Sequence, residues 1–68
     1  MPIVMHLDTI MEERGVTVSD LARQVGITRA NMSNLKSGKI KAVRFSTLEG
    51  ICRCLKCQPG DIIEFVED

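Results

Sequence analysis

One stretch, Thr17–Gly38, constrains the fold of this chain more than any other. It contains two short segments with apolar residues at helical spacing, and a turn around Gly26 joins them. The apolar positions are Leu21, Ala22 and Val25 in the first segment, and Met32 and Leu35 in the second. The spacing predicts two helices at about Val18–Val25 and about Arg29–Lys36, which is the pattern of a helix-turn-helix.

Each of these two segments opens on a side chain that can cap a helix. Thr17 is followed by Asp20 three residues on, and Thr28 is followed in the same way by Asn31. A threonine hydroxyl just before a helix accepts a hydrogen bond from a backbone N–H of the first turn. Capping therefore predicts the same two helix starts as the apolar spacing does.

The rest of the chain predicts three more helices. Apolar spacing gives one at about Leu7–Arg14. Ser46 with Glu49 forms a capping-box pattern that would open another at about Thr47, ending near Lys56. Its core stripe is Leu48, Ile51, Cys52 and Leu55. A single helical turn is expected around Gly60–Ile63.

Two kinds of non-helical segment are also expected. The β-favouring residues Ile3–Met5 and the tail after Ile63 could pair as a short terminal β-ribbon. The segment Lys39–Phe45 is too basic and irregular for a regular strand, so we expect a loop. Its apolar residues would reach into the core, and these are Ile40, Val43 and Phe45.

The size of the chain limits it to one domain, residues 1–68, with a thin core. A domain of this length buries only about 60% of its unfolded surface, so dimerisation is a common remedy. No apolar run approaches the roughly 18 residues of a membrane span, and no signal peptide is visible, so we expect a cytoplasmic protein. With two Phe and no Trp or Tyr, the chain lacks the stacking platforms of single-strand binders.

The charge of the chain is zero overall but unevenly distributed. From Arg23 to Arg44 there are six basic residues and no acidic one, whereas the remaining residues hold three basic and all nine acidic side chains. A run of charge is often only a solvated face. Because this one coincides with the helix-turn-helix and the following loop, it favours a surface that binds a polyanion.

Three cysteines, Cys52, Cys54 and Cys57, lie close together in sequence. An odd number in a cytoplasmic chain does not indicate a disulfide framework, and a tetrahedral zinc site would need a fourth ligand. Cys52 lies on the apolar stripe of its helix, so we expect a small buried hydrophobe there, with no metal and no cofactor. No nucleophile with an adjacent base, paired carboxylates or glycine-rich phosphate loop indicates an enzyme.

The second helix of the motif presents a face suited to reading DNA bases. Opposite Met32 and Leu35 lie small and amide side chains, with an arginine on the flank, and these base-reading candidates are Arg29, Ala30, Ser33 and Asn34. Arginine can bind guanine O6 and N7 in the major groove, and asparagine can bind adenine N6 and N7. An ordinary solvated helix face is the alternative.

Phosphate contacts are expected from residues around this face. Hydroxyls and free N–H groups at helix starts suit an anion, and lysines suit backbone phosphates as flexible point charges. The candidates are Thr17, Ser19, Thr28, Lys36, Ser37, Lys39 and Lys41. Arg44 is a weaker candidate, and Arg23 could instead pair with Asp20.

At these residues the chain resembles the Cro/CI-type (Xre-like) helix-turn-helix domains of phage repressors. Leu21-Ala22, Gly26-Ile27, Met32 and Leu35 match the motif. The segment TLEGICRCLKCQPGDII is also similar to helices 4 and 5 of small bacterial members, the YozG-like branch. The resemblance implies an all-α, five-helix phage-repressor-like domain. One departure is Val18, which stands where many relatives have a glutamine.

The resemblance also implies a function and a partner. It implies a transcriptional regulator that binds double-stranded DNA, a repressor by expectation and a homodimer on inverted half-sites, with no membrane partner. A different class remains open, namely a protein-interaction module such as an antitoxin component, whose partner would bind the acidic first helix or the apolar tail.

Overall fold

A computed structural model describes residues 3–40 and 42–67 of the chain. In chain order, its elements are β1 (Ile3–Met5), α1 (Leu7–Arg14), α2 (Val18–Val25), α3 (Arg29–Ser37), α4 (Phe45–Leu55), α5 (Pro59–Ile62) and β2 (Ile63–Phe65). The predicted five helices and terminal ribbon are confirmed. The bounds of α1 and α2 agree with prediction, α3 runs one residue further, and α5 begins one residue earlier.

The starts of α2 and α3 are fixed by the two predicted caps. The hydroxyl of Thr17 accepts a hydrogen bond from the backbone N–H of Asp20, and that of Thr28 accepts one from Asn31, each at 3.1 Å. Between the helices, Gly26 has a φ of +87°. Because this left-handed conformation is costly for residues with a Cβ, glycine allows the tight turn.

All five helices contribute to one small core. Each buries a single face against it, and nine side chains are at most 5% exposed: Leu7, Met11, Leu21, Ala22, Met32, Leu35, Ile51, Leu55 and Ile62. The opposite faces are left to solvent, as expected for amphipathic helices. Within residues 3–40 and 42–67, no helix is long and apolar enough to cross a membrane.

Close packing of α4 holds the helix-turn-helix in place. A Cβ added at Gly50 would lie only 3.3 Å from Cγ1 of Val25, so the glycine lets α4 approach α2 closely. At the other end of α4, Nε of Arg14 donates a hydrogen bond to the carbonyl of Leu55 at 2.9 Å. This bond satisfies one of the carbonyls that a helix end leaves without an intrahelical partner.

The start of α4 differs from its prediction. The helix begins at Phe45 rather than at Thr47, and Leu48 N–H donates to the carbonyl of Arg44 at 3.0 Å. The predicted capping box of Ser46 and Glu49 is wrong, because both residues lie inside the helix. Arg44 occupies the cap position instead, with extended backbone and no side-chain cap bond.

The loop between α3 and α4 differs from its prediction at one residue. Ile40 and Val43 pack against the core as predicted. Phe45 does not, since it is 85% exposed. As the first residue of α4 it lies on the outer face of that helix, so the core prediction for its side chain is wrong.

The chain ends pair as a two-stranded antiparallel sheet. Ile3 lies opposite Phe65, Val4 opposite Glu64 and Met5 opposite Ile63. Met5 and Ile63 pack against the core, whereas Ile3 and Phe65 are more than half exposed. The ribbon therefore closes one side of the core at its inner end and extends beyond it at the outer end.

Candidate nucleic-acid interface

Helix α3 presents a narrow polar ridge to solvent. Met32 and Leu35 are buried on its inner side, at 0% and 5% exposure. The residues on the opposite side are exposed, and they are Ala30, Ser33, Asn34 and Ser37. The hydroxyl of Ser37 donates to the carbonyl of Asn34 at 3.3 Å, so it is turned toward its own helix.

A groove on one flank of this ridge is lined by several residues that the sequence predicts separately as contacts to DNA. It lies between α1, the start of α2 and α3, and its lining includes Thr17, Ser19, Arg29 and Lys36. The first N–H groups of α2 have no backbone partners within the helix, although Thr17 caps that of Asp20, and the positive end of the helix dipole lies there. Two hydroxyls, two cations and a helix start thus meet in one concavity.

Two acidic residues share this groove. Asp8 and Glu12 from α1 are part of its lining, together with Arg29 and Lys36. In the sequence they belong to the acidic outer face of the first helix, and nothing there indicates that this face borders α3. A carboxylate in this position repels a bound phosphate, so the groove has cations on one wall and anions on the other.

A second groove lies on the other flank of α3. It lies between the α2–α3 turn, α3 and the start of α4, and its polar lining includes Thr28, Asn31, Arg44 and Thr47. Thr28 was predicted as a phosphate ligand, and Arg44 as a weaker one. Asn31 and Thr47 were not predicted as phosphate ligands. The position of Asn31 on α3, beside the outward face, is a signal from which its place in the groove could have been predicted.

The basic loop continues directly from the end of α3. Gly38 ends the helix at a φ of +77°, and the backbone N–H of Lys39 donates to the carbonyl of Asn34 at 2.9 Å. The side chain of Lys39 is exposed. The predicted phosphate residue Lys41 lies outside the described residues.

Arg23 makes the ion pair that the sequence left open. Its Nη2 lies 2.8 Å from Oδ1 of Asp20, one helical turn earlier, and Arg23 is 77% exposed. Exposed pairs of this kind contribute little to stability, roughly 0–1 kcal/mol. The pair does, however, offset a positive charge at the edge of the motif.

Three comparisons relate this architecture to known proteins. The Cro/C1-type HTH DNA-binding domain matches residues 6–68, nearly the whole chain. The chain belongs to the Cro/C1-type helix-turn-helix family. It is 52% identical over 68 residues to YozG of Bacillus subtilis (strain 168), an uncharacterized HTH-type transcriptional regulator, and this match spans all of the chain and 81% of YozG.

The fold is shared with a solved member of the structural class. The crystal structure of a candidate DNA-binding protein from Bacteroides fragilis superposes with a TM-score of 0.81 at 21% identity. The match covers 91% of this chain and 98% of that protein. The Cro/C1-type family is one of DNA-binding transcriptional regulators rather than of enzymes.

The three cysteines of this Cro/C1-type domain lie in two different environments. Sγ of Cys54 donates to Oε1 of Gln24 on α2 at 2.9 Å. Cys52 and Cys57 lie on either side of the α4 end, and burial, followed by the neighbouring Cys52 thiol, raises the pKa of Cys57 above its ordinary value. That thiol therefore stays protonated at neutral pH. In the described part of the chain, no three His, Cys, Asp or Glu side chains gather as a metal site.

Proposed function

We propose that the chain is a sequence-specific regulator of transcription that binds double-stranded DNA through α3 in the major groove. One observation carries the proposal: the exposed polar ridge of α3 lies between two grooves, and the lining of each includes a cation, a hydroxyl and the start of a helix. The major groove is wide enough to admit a helix, and phosphates border it on both sides. The ridge of α3 would face the floor of the DNA major groove, and the residues on its two flanks would face the phosphates along the borders of that groove.

Base reading is assigned to the ridge and its leading edge, namely Arg29, Ala30, Ser33 and Asn34. Arg29 would contact a guanine, and Asn34 an adenine. Ala30 and Ser33 are small enough to let the helix approach, and Ala30 could contact a thymine methyl.

Phosphate binding is assigned to the flanks and the following loop. The predicted set is Thr17, Ser19, Thr28, Lys36, Ser37, Lys39 and Lys41, and the second groove adds Asn31, Arg44 and Thr47. Such contacts fix the register of a protein on the duplex and supply most of its affinity.

The regulator would act as a repressor and as a homodimer, one helix-turn-helix domain per copy. Repression needs only the occupation of a site that RNA polymerase must use, so a small DNA-binding domain is sufficient. Two copies would place their α3 helices in successive major grooves, about 34 Å apart. Acting on DNA, the protein would work in the cytoplasm.

A salt titration on random duplex DNA tests the proposal against a purely protein-binding module. We expect log Kobs to fall linearly with log salt concentration, with a slope of about −0.9 per phosphate contact. Lys39→Ala should reduce the slope by about one, while Lys56→Ala, at the far end of α4, should leave it unchanged. Absence of saturable binding at low salt would contradict the DNA-binding proposal.

A further inference from the structure

The outer face of α4 carries an apolar groove that the DNA-binding proposal does not use. Its floor and walls are formed by Phe45, Leu48, Cys52, Cys57 and Pro59, from α4 and the segment that joins it to α5. Phe45 is 85% exposed, the largest value among the large hydrophobic side chains described. A phenylalanine so exposed contributes nothing to the core of its own chain, and apolar patches of this kind mark interaction sites.

Two opposite charges border the groove. Glu49 and Arg53 lie one helical turn apart on α4, and both are part of the groove lining. Among the described residues, neither takes part in an ion pair. An acid and a base side by side on one helix face make that face complementary to itself when a second copy runs in the opposite direction.

The register of such an antiparallel pairing follows from the positions of the charges. A two-fold axis at the level of Ile51 sets Glu49 opposite Arg53 of the second copy, and Arg53 opposite its Glu49. The same axis sets Phe45, at the start of α4, opposite the end of α4 in the second copy, where Cys57 of the following segment lines the groove. Phe45 then reaches the far end of the other groove, beside Pro59.

We propose that this groove is the interface between two copies of the chain, with the α4 helices antiparallel about a two-fold axis. Each Phe45 fills the groove of the other copy, and two Glu49–Arg53 pairs set the register. Burial raises the pKa of the Cys57 thiol, which keeps that side chain of the groove uncharged at neutral pH. A second copy fits better than an unrelated partner because this one surface carries both the exposed Phe45 ring and the groove that would receive it. The same surface also carries both members of the Glu49–Arg53 charge pair.

The proposed interface and the candidate DNA surface use different residues, since the groove on α4 shares no lining residue with the two grooves beside α3. An eleven-residue helix is about 16 Å long. Antiparallel pairing therefore places the two basic loops that precede α4 at opposite ends of the interface. The interface itself is measured without DNA, so it and the DNA-binding proposal can fail independently.

Sedimentation equilibrium of the full chain without DNA tests the interface. We expect a monomer–dimer equilibrium, and Phe45→Ala should raise the dimer Kd about tenfold or more, as for a central aromatic contact. Phe65→Ala is the matched control, because Phe65 is also exposed but lies on the ribbon, and it should leave the Kd unchanged. A wild-type chain that stays monomeric, or a dimer weakened by Phe65→Ala and not by Phe45→Ala, would overturn the proposal.

A charge swap tests the register and guards against simple misfolding. Glu49→Arg and Arg53→Glu alone should each raise the Kd about tenfold, because each sets like charges opposite one another. The double variant E49R/R53E should restore dimerisation, and the two single variants mixed together should form a heterodimer. Glu13→Arg on α1 is the control for the charge change. A double variant as weak as the singles, with an intact circular dichroism spectrum, would rule out this register.

Discussion

Arg29 has the position from which the most specific prediction follows. It opens α3, lines the same groove as Thr17 and Lys36, and stands at the edge of the exposed ridge. We expect Arg29→Ala to cost about 1–3 kcal/mol on the specific site and to relax one base preference, because a bidentate contact to guanine is lost. Competition binding with the specific and random duplexes measures both effects.

Lys36 is the contrast for this experiment, since it lies on the same flank two helical turns later. Lys36→Ala should weaken specific and random duplexes alike, as expected for a phosphate contact. If Arg29→Ala behaves in the same way as Lys36→Ala, then Arg29 is a phosphate ligand and the base contact is wrong.

Glu12 offers a residue-scale prediction with the opposite sign. Its carboxylate borders the groove of Arg29 and Lys36, where it would repel a bound phosphate. Glu12→Gln should therefore tighten binding to any duplex by about 1 kcal/mol at low salt, and less at high salt. Glu13→Gln, next along α1 but outside the groove lining, should have little effect in the same fluorescence titration. Unchanged or weaker binding by Glu12→Gln would show that no phosphate lies there.

At the scale of elements, the sequence predicts well those helix bounds that depend only on neighbouring residues. The caps at Thr17 and Thr28 and the apolar spacing around them gave α2 and α3 to within one residue. The start of α4 was misplaced since Ser46 and Glu49 match a capping box by spacing alone. In the structure, Arg44 occupies the cap position, and the packing of α4 through Gly50 on Val25 holds the helix.

The outward residues of the candidate site could be predicted from the sequence, but the residues that surround them on other helices could not. Periodicity on one helix is enough to place Ala30, Ser33 and Asn34 on the outward face of α3. Which residues of α1 and α4 border that face depends on how the helices pack, and a single sequence does not encode this locally. Glu12 and Thr47 were therefore missed, and the exposure of Phe45 was predicted in the wrong direction.

The turn between α2 and α3 gives a prediction about stability. Gly26 has a φ of +87° with open space around its Cα, so an added Cβ would be strained by backbone conformation alone. We expect Gly26→Ala to lower the free energy of unfolding by about 1–2 kcal/mol. Gly60→Ala, where space is also open but no left-handed φ is required, should leave it unchanged or raise it. Equal effects of the two changes in urea unfolding would contradict this view of the turn.

At the scale of the whole molecule, charge and shape separate two surfaces. The basic central segment forms α3, its flanks and the loop after it, whereas the apolar groove on α4 lies outside the candidate DNA surface. A small core shared by five helices holds both surfaces in a fixed relation. The two surfaces therefore have no lining residue in common.

Selection of bound duplexes from a random pool tests the central claim most directly. We expect one motif to be enriched, as an inverted repeat whose half-site centres lie about one helical turn, roughly 34 Å, apart. Arg29→Ala carried through the same selection should lose preference at one position in each half-site. A pool that shows no enriched motif after repeated rounds, although the protein is folded and binds the duplexes, would contradict sequence-specific recognition by α3.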